Sequence, residues 1–233
     1  MDDMSCISLF KRVFDVCLSG FGLVVSLPLW LIIAASIKLE DGGPVFYSQE
    51  RVGRGGKVFK VYKFRSMIPD AEKDTGPVQA REKDPRMTRV GRILRATAMD
   101  ELPQLWSIFK GDMSFVGPRA LRPEEIEVDP RSKYRHIEDF PNYSVRISVV
   151  PGLTGIAQVF APRDVTRKNK FRYDALYVRK RSFLLDLKLI FLSFLITFSG
   201  GWEDRKRPQR LRRWRRFLGY NPPIFNQTNQ EQP

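Results

Sequence analysis

Residues 16–37 read VCLSGFGLVVSLPLWLIIAASI, a run from Val16 to Ile37 of 22 positions without a charge. As a helix this run is about 33 Å long, enough to cross a hydrocarbon core of about 30 Å. Three readings compete. A cleaved signal peptide fits worst: the run exceeds the usual apolar region of such peptides, and removing it would leave no cysteine, since Cys6 and Cys17 are the only two. A straight single-pass anchor is the ordinary reading. A re-entrant helix, entering and leaving by one face, is the alternative. Pro28 sits near the middle, where it removes a backbone hydrogen bond and favours a bend. Ser26 is placed to satisfy a carbonyl freed there. Both flanks are basic, with Lys11 and Arg12 before the run and Lys38 and a basic remainder after it. The positive-inside bias therefore does not put the two ends in opposite compartments. The straight and bent readings both stand at this point, and either leaves the bulk of the chain on the cytoplasmic face.

Outward from this run, the chain has 233 residues, 42% hydrophobic and 28% charged, which suits one compact domain with appendages. Three regions follow: an N-terminal membrane segment over 1–40, a globular portion over 41–200 and a basic C-terminal tail over 201–233. The formal net charge is +14, and residues 205–233 alone carry +7. The arginines of that tail suit a solvated arm, nucleic acid or anionic lipid equally well. Two cysteines give no disulfide framework and point to a reducing compartment. The sole histidine, His136, lies among charged residues that read as a solvated helix face, so nucleophilic triads are largely excluded. Carboxylates and basic side chains carry whatever chemistry there is.

The globular portion reads as α+β. Asp41-Gly42-Gly43-Pro44 is a turn. Val45–Tyr47 and Val58–Phe64 read as strands of a hairpin across Gly53-Arg54-Gly55-Gly56. A polar loop follows over 69–88. A helix begins at Val90–Arg95, and another follows Pro103, with Leu102, Leu105, Trp106 and Phe109 at helical spacing and Gly111 as C-cap. Gly117-Pro118 and Pro151-Gly152 read as chain reversals. Residues 122–140 and 171–190 read as helical, with Tyr173, Leu176 and Tyr177 on one face. Phe183–Phe198 is apolar but interrupted by Asp186 and Lys188, which suits an interfacial helix or a core helix.

The chemistry points to Met99-Asp100-Glu101-Leu102-Pro103. Two adjacent carboxylates precede a proline at an expected helix start, an ordinary capping pattern. The flanking segments carry Lys63, Arg65, Arg92, Arg95, Arg119 and Arg122. A basic pocket with carboxylates for Mg²⁺ is the inventory for handling a diphosphate, and an ionised Asp can attack phosphorus.

Residues 10–200 resemble the bacterial monotopic phosphoglycosyl transferases. The strings that carry the resemblance are Lys11-Arg12-Val13-Phe14-Asp15, Gln49-Glu50-Arg51-Val52-Gly53, Tyr62-Lys63-Phe64-Arg65-Ser66-Met67, Asp100-Glu101-Leu102-Pro103-Gln104-Leu105, Gly111-Asp112-Met113-Ser114-Phe115-Val116-Gly117-Pro118-Arg119, Pro151-Gly152-Leu153-Thr154-Gly155 and Ser182-Phe183-Leu184-Leu185-Asp186-Leu187-Lys188. The resemblance implies a cytoplasmic-face enzyme of the bacterial inner membrane. Such an enzyme transfers a phospho-sugar from a UDP-sugar to undecaprenyl phosphate and releases UMP. It implies Asp100 as nucleophile and Glu101 as its partner in Mg²⁺ binding, positioning or proton transfer. It also implies Arg119, with Pro118, Lys63 and Arg95, on the donor's phosphates. The same resemblance favours the re-entrant helix, with Lys11 and Arg12 at the lipid headgroups, Pro28 at the bend and Ser26 beside it.

The chain departs from the family pattern in three places. Leu27 separates Ser26 from Pro28, Ala120 stands where a second proline is usual, and Ile156–Arg163 replaces a more polar string. The roles of Ser26 and Arg163 are therefore left open. A membrane-anchored nucleic-acid binder is the rival reading, but no nucleic-acid motif accompanies the basic tail, so no nucleic acid is expected. Anionic lipid is the expected contact of the tail. The oligomeric state is open, a homodimer included, and no residue reports which sugar is transferred.

Overall fold

The computed structural model describes residues 3–71, 73, 84–123, 136–161 and 165–198. Arg163, the tail over 201–233 and most of the helix expected over 122–140 lie outside these residues.

One helix, α1 (Asp3–Asp41), occupies the N-terminal region and continues through Pro28 without interruption. Over Leu9–Asp41 it is long and apolar enough to cross a membrane, and little of that surface is buried. A core helix would bury most of that surface. Here Phe21, Val24, Val25, Leu27, Leu31 and Ile32 are all more than half exposed, an apolar face that water disfavours and lipid accommodates. The Ser26 hydroxyl donates to the Leu23 carbonyl (3.3 Å) and accepts from the Trp30 indole (3.0 Å), whereas the carbonyl that Pro28 leaves without its helical donor is that of Val24.

Both ends of α1 are fastened to the same globular body. Near its start, the Lys11 ammonium pairs with Asp186 and donates to the Val116 carbonyl (3.1 Å), while Arg12 donates to the carbonyls of Ile108 and Phe109 (2.7 Å each). Asp15 is buried and accepts from the Phe115 amide. At the other end, Ile33 and Ile37 pack with Phe64 and Leu94, and Asp41 holds Arg65 in a two-pronged ion pair. Lys11 and Arg12 are thus committed to intramolecular partners.

The hairpin forms across the expected glycine turn, but its first strand extends well past the expected Val45–Tyr47. β1 (Phe46–Val52) pairs antiparallel with β2 (Val58–Phe64), in register from Phe46↔Phe64 to Val52↔Val58. Its turn uses Gly55 and Gly56 at positive φ. Cross-strand partners share a face, so Arg51 and Phe59, Gln49 and Val61, and Tyr47 and Lys63 lie on one side. Three short segments follow: α2 (Arg89–Ala96), a 3₁₀ turn (Met99–Glu101) and α3 (Gln104–Lys110), which ends at Gly111 with φ +100. α3 packs along α1, where Leu105 and Phe109 lie over Gly22 and Gly20.

Two segments that read as simple reversals hold a parallel strand pair instead. Gly117-Pro118 and Pro151-Gly152 flank a parallel pair, β3 (Ser114–Val116) with β4 (Gly152–Thr154). A Cβ on Gly152 would lie 2.0 Å from the Gly117 nitrogen, and one on Gly155 2.4 Å from the Gly117 oxygen. The glycines serve close backbone approach, not only chain reversal. Within 122–140 the described part is a 3₁₀ turn, Ile137–Asp139, which exposed His136 caps.

Short α4 (Tyr143–Ile147) and α5 (Ile156–Phe160) lead to α6 (Arg167–Lys180) and α7 (Phe183–Phe198). The continuous helix expected over 171–190 is broken at Arg181-Ser182, where the Ser182 hydroxyl accepts from the Leu185 amide and starts a new helix. Tyr173, Leu176 and Tyr177 do share one face: the two tyrosines are buried and Leu176 packs partly buried against the same core. The core reading of Phe183–Phe198 holds on one face, where Leu185, Leu189, Leu192 and Ile196 join the largest core cluster among the described residues; on the other face Leu184, Phe191 and Phe194 are exposed.

Lys11 keeps Asp186 from being a lone buried charge, with the Tyr177 hydroxyl also donating to it (2.8 Å). Lys11→Met is expected to lower the thermal midpoint by removing about 2 kcal/mol or more. Lys11→Met combined with Asp186→Leu should recover most of that loss. Thermal melts of the detergent-solubilised variants check this.

Candidate active site

Asp100 and Glu101 sit in the 3₁₀ turn ahead of α3, not in the first turn of that helix as the proline suggested. The turn is entered through Ala98 at φ +55, a conformation an alanine adopts only at a cost of about 1 kcal/mol. That kink lets two adjacent carboxylates point to different surroundings.

Glu101 lies beside the Lys63 ammonium in a tight ion pair, and an Arg119 guanidinium nitrogen is 3.8 Å from the same carboxylate oxygen. Burial pushes the Glu101 carboxyl up, but Lys63 and then Arg119 outweigh it and hold the group at about 2. Asp100 is 8% exposed, and no hydrogen bond from a described residue reaches its carboxylate. Burial therefore dominates, and the group is pushed up to about 6 against the pull of Lys63, Arg95 and Arg119. Two neighbouring acids thus have very different proton affinities.

A small, open cleft lies beside Glu101, lined by Arg51, Val61, Lys63, Glu101, Gln104, Met113, Arg119, Ala120, Gly152 and Leu153. Arg51, Val61 and Lys63 come from one face of the hairpin, and Gly152 and Leu153 from β4. Asp100, Arg95 and Pro118 are not among the lining groups. Arg95 is half-buried with one guanidinium nitrogen 3.8 Å from the Met87 sulfur, near enough to Asp100 to favour its ionised form. Pro118 is buried, and its carbonyl accepts from the Gly152 amide (2.8 Å).

Arg119, half-exposed, is aimed by its backbone. The Arg146 guanidinium donates to the Arg119 carbonyl (2.5 Å) and to Asp174 (3.1 Å) and lies 4.4 Å over the Phe171 ring. Arg51 donates to the Ala120 carbonyl (3.2 Å) and to Gln49 (2.5 Å). The loop that lacks the second proline is therefore held by two arginines instead. Sequence reasoning did not single out Arg51, Gln104 or Arg146 as site residues. The first two stood inside quoted strings, but their meeting at one cleft depends on contacts distant in sequence.

Among the described residues no group of three or more His, Cys, Asp or Glu is gathered. The two adjacent carboxylates suit a hard, oxygen-preferring cation that keeps several waters and takes further ligands from a bound phosphate. The unbonded oxygens of Asp100 fit that demand.

Residues 6–200 match the family model described as bacterial sugar transferase. The chain belongs to that family. It is 41% identical over 189 residues to a UDP-glucose:undecaprenyl-phosphate glucose-1-phosphate transferase of Klebsiella pneumoniae, covering 79% of this chain and 39% of that protein. It is 53% identical over 113 residues to a protein of Bacillus subtilis (strain 168) named as a putative undecaprenyl-phosphate N-acetylgalactosaminyl 1-phosphate transferase, covering 48% of this chain and 63% of the relative. An exopolysaccharide production protein, ExoY, of Rhizobium meliloti (strain 1021) is 35% identical over 195 residues, covering 78% of this chain and 82% of the relative. The chain thus spans less than two thirds of the first two relatives.

If Asp100 must be ionised to work, activity carries the titration of this acid pair. The rate with limiting donor is expected to fall as pH drops through about 6, as the raised Asp100 carboxyl takes up its proton. The check is kcat/KM for the donor from pH 5 to 8.

Proposed function

We propose that the chain transfers a phospho-sugar from a UDP-sugar to undecaprenyl phosphate, releasing UMP, and so starts a lipid-linked glycan. The single observation that carries this reading is the pairing of a buried, hydrogen-bond-free Asp100 with a cleft of three cations, Arg51, Lys63 and Arg119. A diphosphate needs the cations, and a displacement at phosphorus needs an uncommitted oxygen nucleophile.

The reaction runs in two halves. An Asp100 carboxylate oxygen attacks the sugar-bearing phosphorus, forming an acyl phosphate. The bond from that phosphorus to the bridging oxygen breaks, and UMP leaves with the electron pair. A phosphate oxygen of undecaprenyl phosphate then attacks the same phosphorus and releases Asp100 unchanged. Burial without hydrogen bonds raises the basicity of Asp100, and a carboxylate stripped of water is the stronger nucleophile. At neutral pH a carboxyl titrating near 6 is largely ionised. Glu101 stays ionised throughout the working range, which suits orienting Lys63 and Arg119 rather than moving a proton. Asp100 and Glu101, with the donor's phosphate oxygens, would hold Mg²⁺, which when bound offsets charge on the phosphoryl oxygens. Lys63 and Arg119 bind the diphosphate, and Arg95 keeps Asp100 ionised.

A lipid phosphate and a water-soluble nucleotide must meet at the membrane surface. A one-sided, re-entrant embedding of α1 is supported by its attachments. A helix of 39 residues is about 58 Å long, yet residues 11–15 and 33–41 hold one globular body. A straight span would carry those two ends to opposite sides. Pro28 would be the bend within the bilayer, and the globular portion would rest on the cytoplasmic face of the inner membrane.

The test is UMP release by the solubilised protein with Mg²⁺, undecaprenyl phosphate and a panel of UDP-sugars. Release with one sugar that depends on the lipid phosphate for sustained turnover supports the reading. Release of UDP in place of UMP contradicts it, because the bond cleaved would then be glycosidic.

A further inference from the structure

Gln104 opens α3 just after the Asp100-Glu101-Leu102-Pro103 turn. It is 5% exposed and lines the cleft beside Lys63, Glu101 and Arg119. Among the described residues its carboxamide makes no hydrogen bond. Its amide tip is not sealed from solvent, so in the cleft it can exchange water for a hydrogen-bonding ligand. The other donors of the cleft are engaged: Lys63 and Arg119 with Glu101, and Arg51 with Gln49 and the Ala120 carbonyl. Gln104 is the polar lining group left with no such engagement among the described residues.

We propose that Gln104 is a substrate-contact residue whose amide N–H donates to a phosphoryl oxygen of the nucleoside-diphosphate donor. This rests on the function proposed above and adds a ligand that neither the acid pair nor the cations supply. The cleft is electropositive through Arg51, Lys63 and Arg119, so the group drawn to it is the diphosphate. Gln104 sits three residues after Glu101 and lines the same cleft as that acid. A neutral donor there adds direction to the attraction the cations provide, without pairing with Glu101 as another cation would.

The experiment measures binding to the full chain in detergent with Mg²⁺, titrating UDP, pyrophosphate and uridine separately into the parent and Gln104→Met. Methionine has similar length and no hydrogen-bonding amide. Because Gln104 has no hydrogen bond to lose among the described residues, the ligand-free melting midpoint of Gln104→Met should equal or exceed the parent's. Its affinity for UDP and pyrophosphate should weaken at least about tenfold, as expected for one lost hydrogen bond to a charged group. Its affinity for uridine should not change. Gln104→Glu, with the same shape and an added negative charge, should weaken UDP binding further.

Unchanged UDP affinity in Gln104→Met overturns the proposal. Equal weakening for uridine overturns the phosphoryl assignment. A ligand-free midpoint far below the parent's overturns it too, since the amide would then be structural. Failure of the parent itself to bind UDP is a different result, which removes the underlying functional reading.

Discussion

Asp100→Asn should lose transfer activity by at least about a thousandfold while gaining thermal stability. The first effect follows from removing the oxygen nucleophile of the proposed transfer. Asparagine keeps the shape but has no lone pair of comparable basicity. The second follows from burial. Asp100 titrates near 6 in the folded chain against 3.8 for an ordinary aspartate. Its raised value means the folded state binds the proton more tightly than the unfolded state does. Stability is therefore lost as pH rises from about 4 through 6, and the ionised group costs the fold about 1–3 kcal/mol at pH 8. A neutral amide removes that cost. The gain in melting midpoint should be present at pH 8 and vanish near pH 4, where both forms are neutral. An equal gain at both pH values would mean that charge burial is not its source. Parent-like activity would remove Asp100 from the mechanism.

Gly152→Ala should be among the most damaging small substitutions in the chain. The added Cβ would lie 2.0 Å from the Gly117 nitrogen, 2.6 Å from the Gly117 Cα and 2.6 Å from the Thr154 oxygen. All three are backbone atoms and cannot swing aside. The parallel pair Ser114↔Gly152 and Val116↔Thr154 must separate, and with it goes the bridge between Arg119 and Gly152. A loss of about 3 kcal/mol or more is expected, a fall of about 6–12 °C in midpoint for a chain of this size. Donor turnover should collapse too, because Gly152 and Arg119 both line the cleft. Gly42→Ala is the control. It stands at φ +71 with nothing within 4 Å of its Cβ position, so it should lose only about 1 kcal/mol. Similar losses in the two variants would show that crowding at the crossing is not the cause.

What the sequence made legible is what local pattern governs. The charge-free run from Val16 to Ile37 marks the long apolar helix, the strand run Val58–Phe64 beside the glycine turn marks the hairpin, and Gly111 marks the end of α3. The Ser182 break was missed, although Ser182 ahead of Phe183-Leu184-Leu185 is an N-cap signal, because the helical pattern on either side masked it. The β3–β4 pairing joins residues about forty apart in a parallel ladder of three residues each, too short to show alternation. Its one trace is the recurrence of Gly beside Pro in both strings. Asp100 and Glu101 stood out as an acid pair, yet their opposite proton affinities depend on Lys63 from β2 and Arg119 from the loop after β3. The cleft residues Arg51 and Gln104 became visible only when hairpin, turn and loop were brought together. Proximity of that kind is tertiary and leaves no local pattern.

The central claim is a covalent phospho-sugar on Asp100. The most direct measurement is intact-mass and peptide-mass analysis of the protein after incubation with Mg²⁺ and its active UDP-sugar, with no lipid phosphate present. A mass increase of one phospho-sugar is expected on the peptide that contains Asp100, formed with a single burst of UMP. The adduct should be discharged by added undecaprenyl phosphate and absent from Asp100→Asn. UMP that appears only when both substrates are present, with no adduct under rapid acid quench, would contradict it. The phosphoryl group would then pass from donor to lipid in one step.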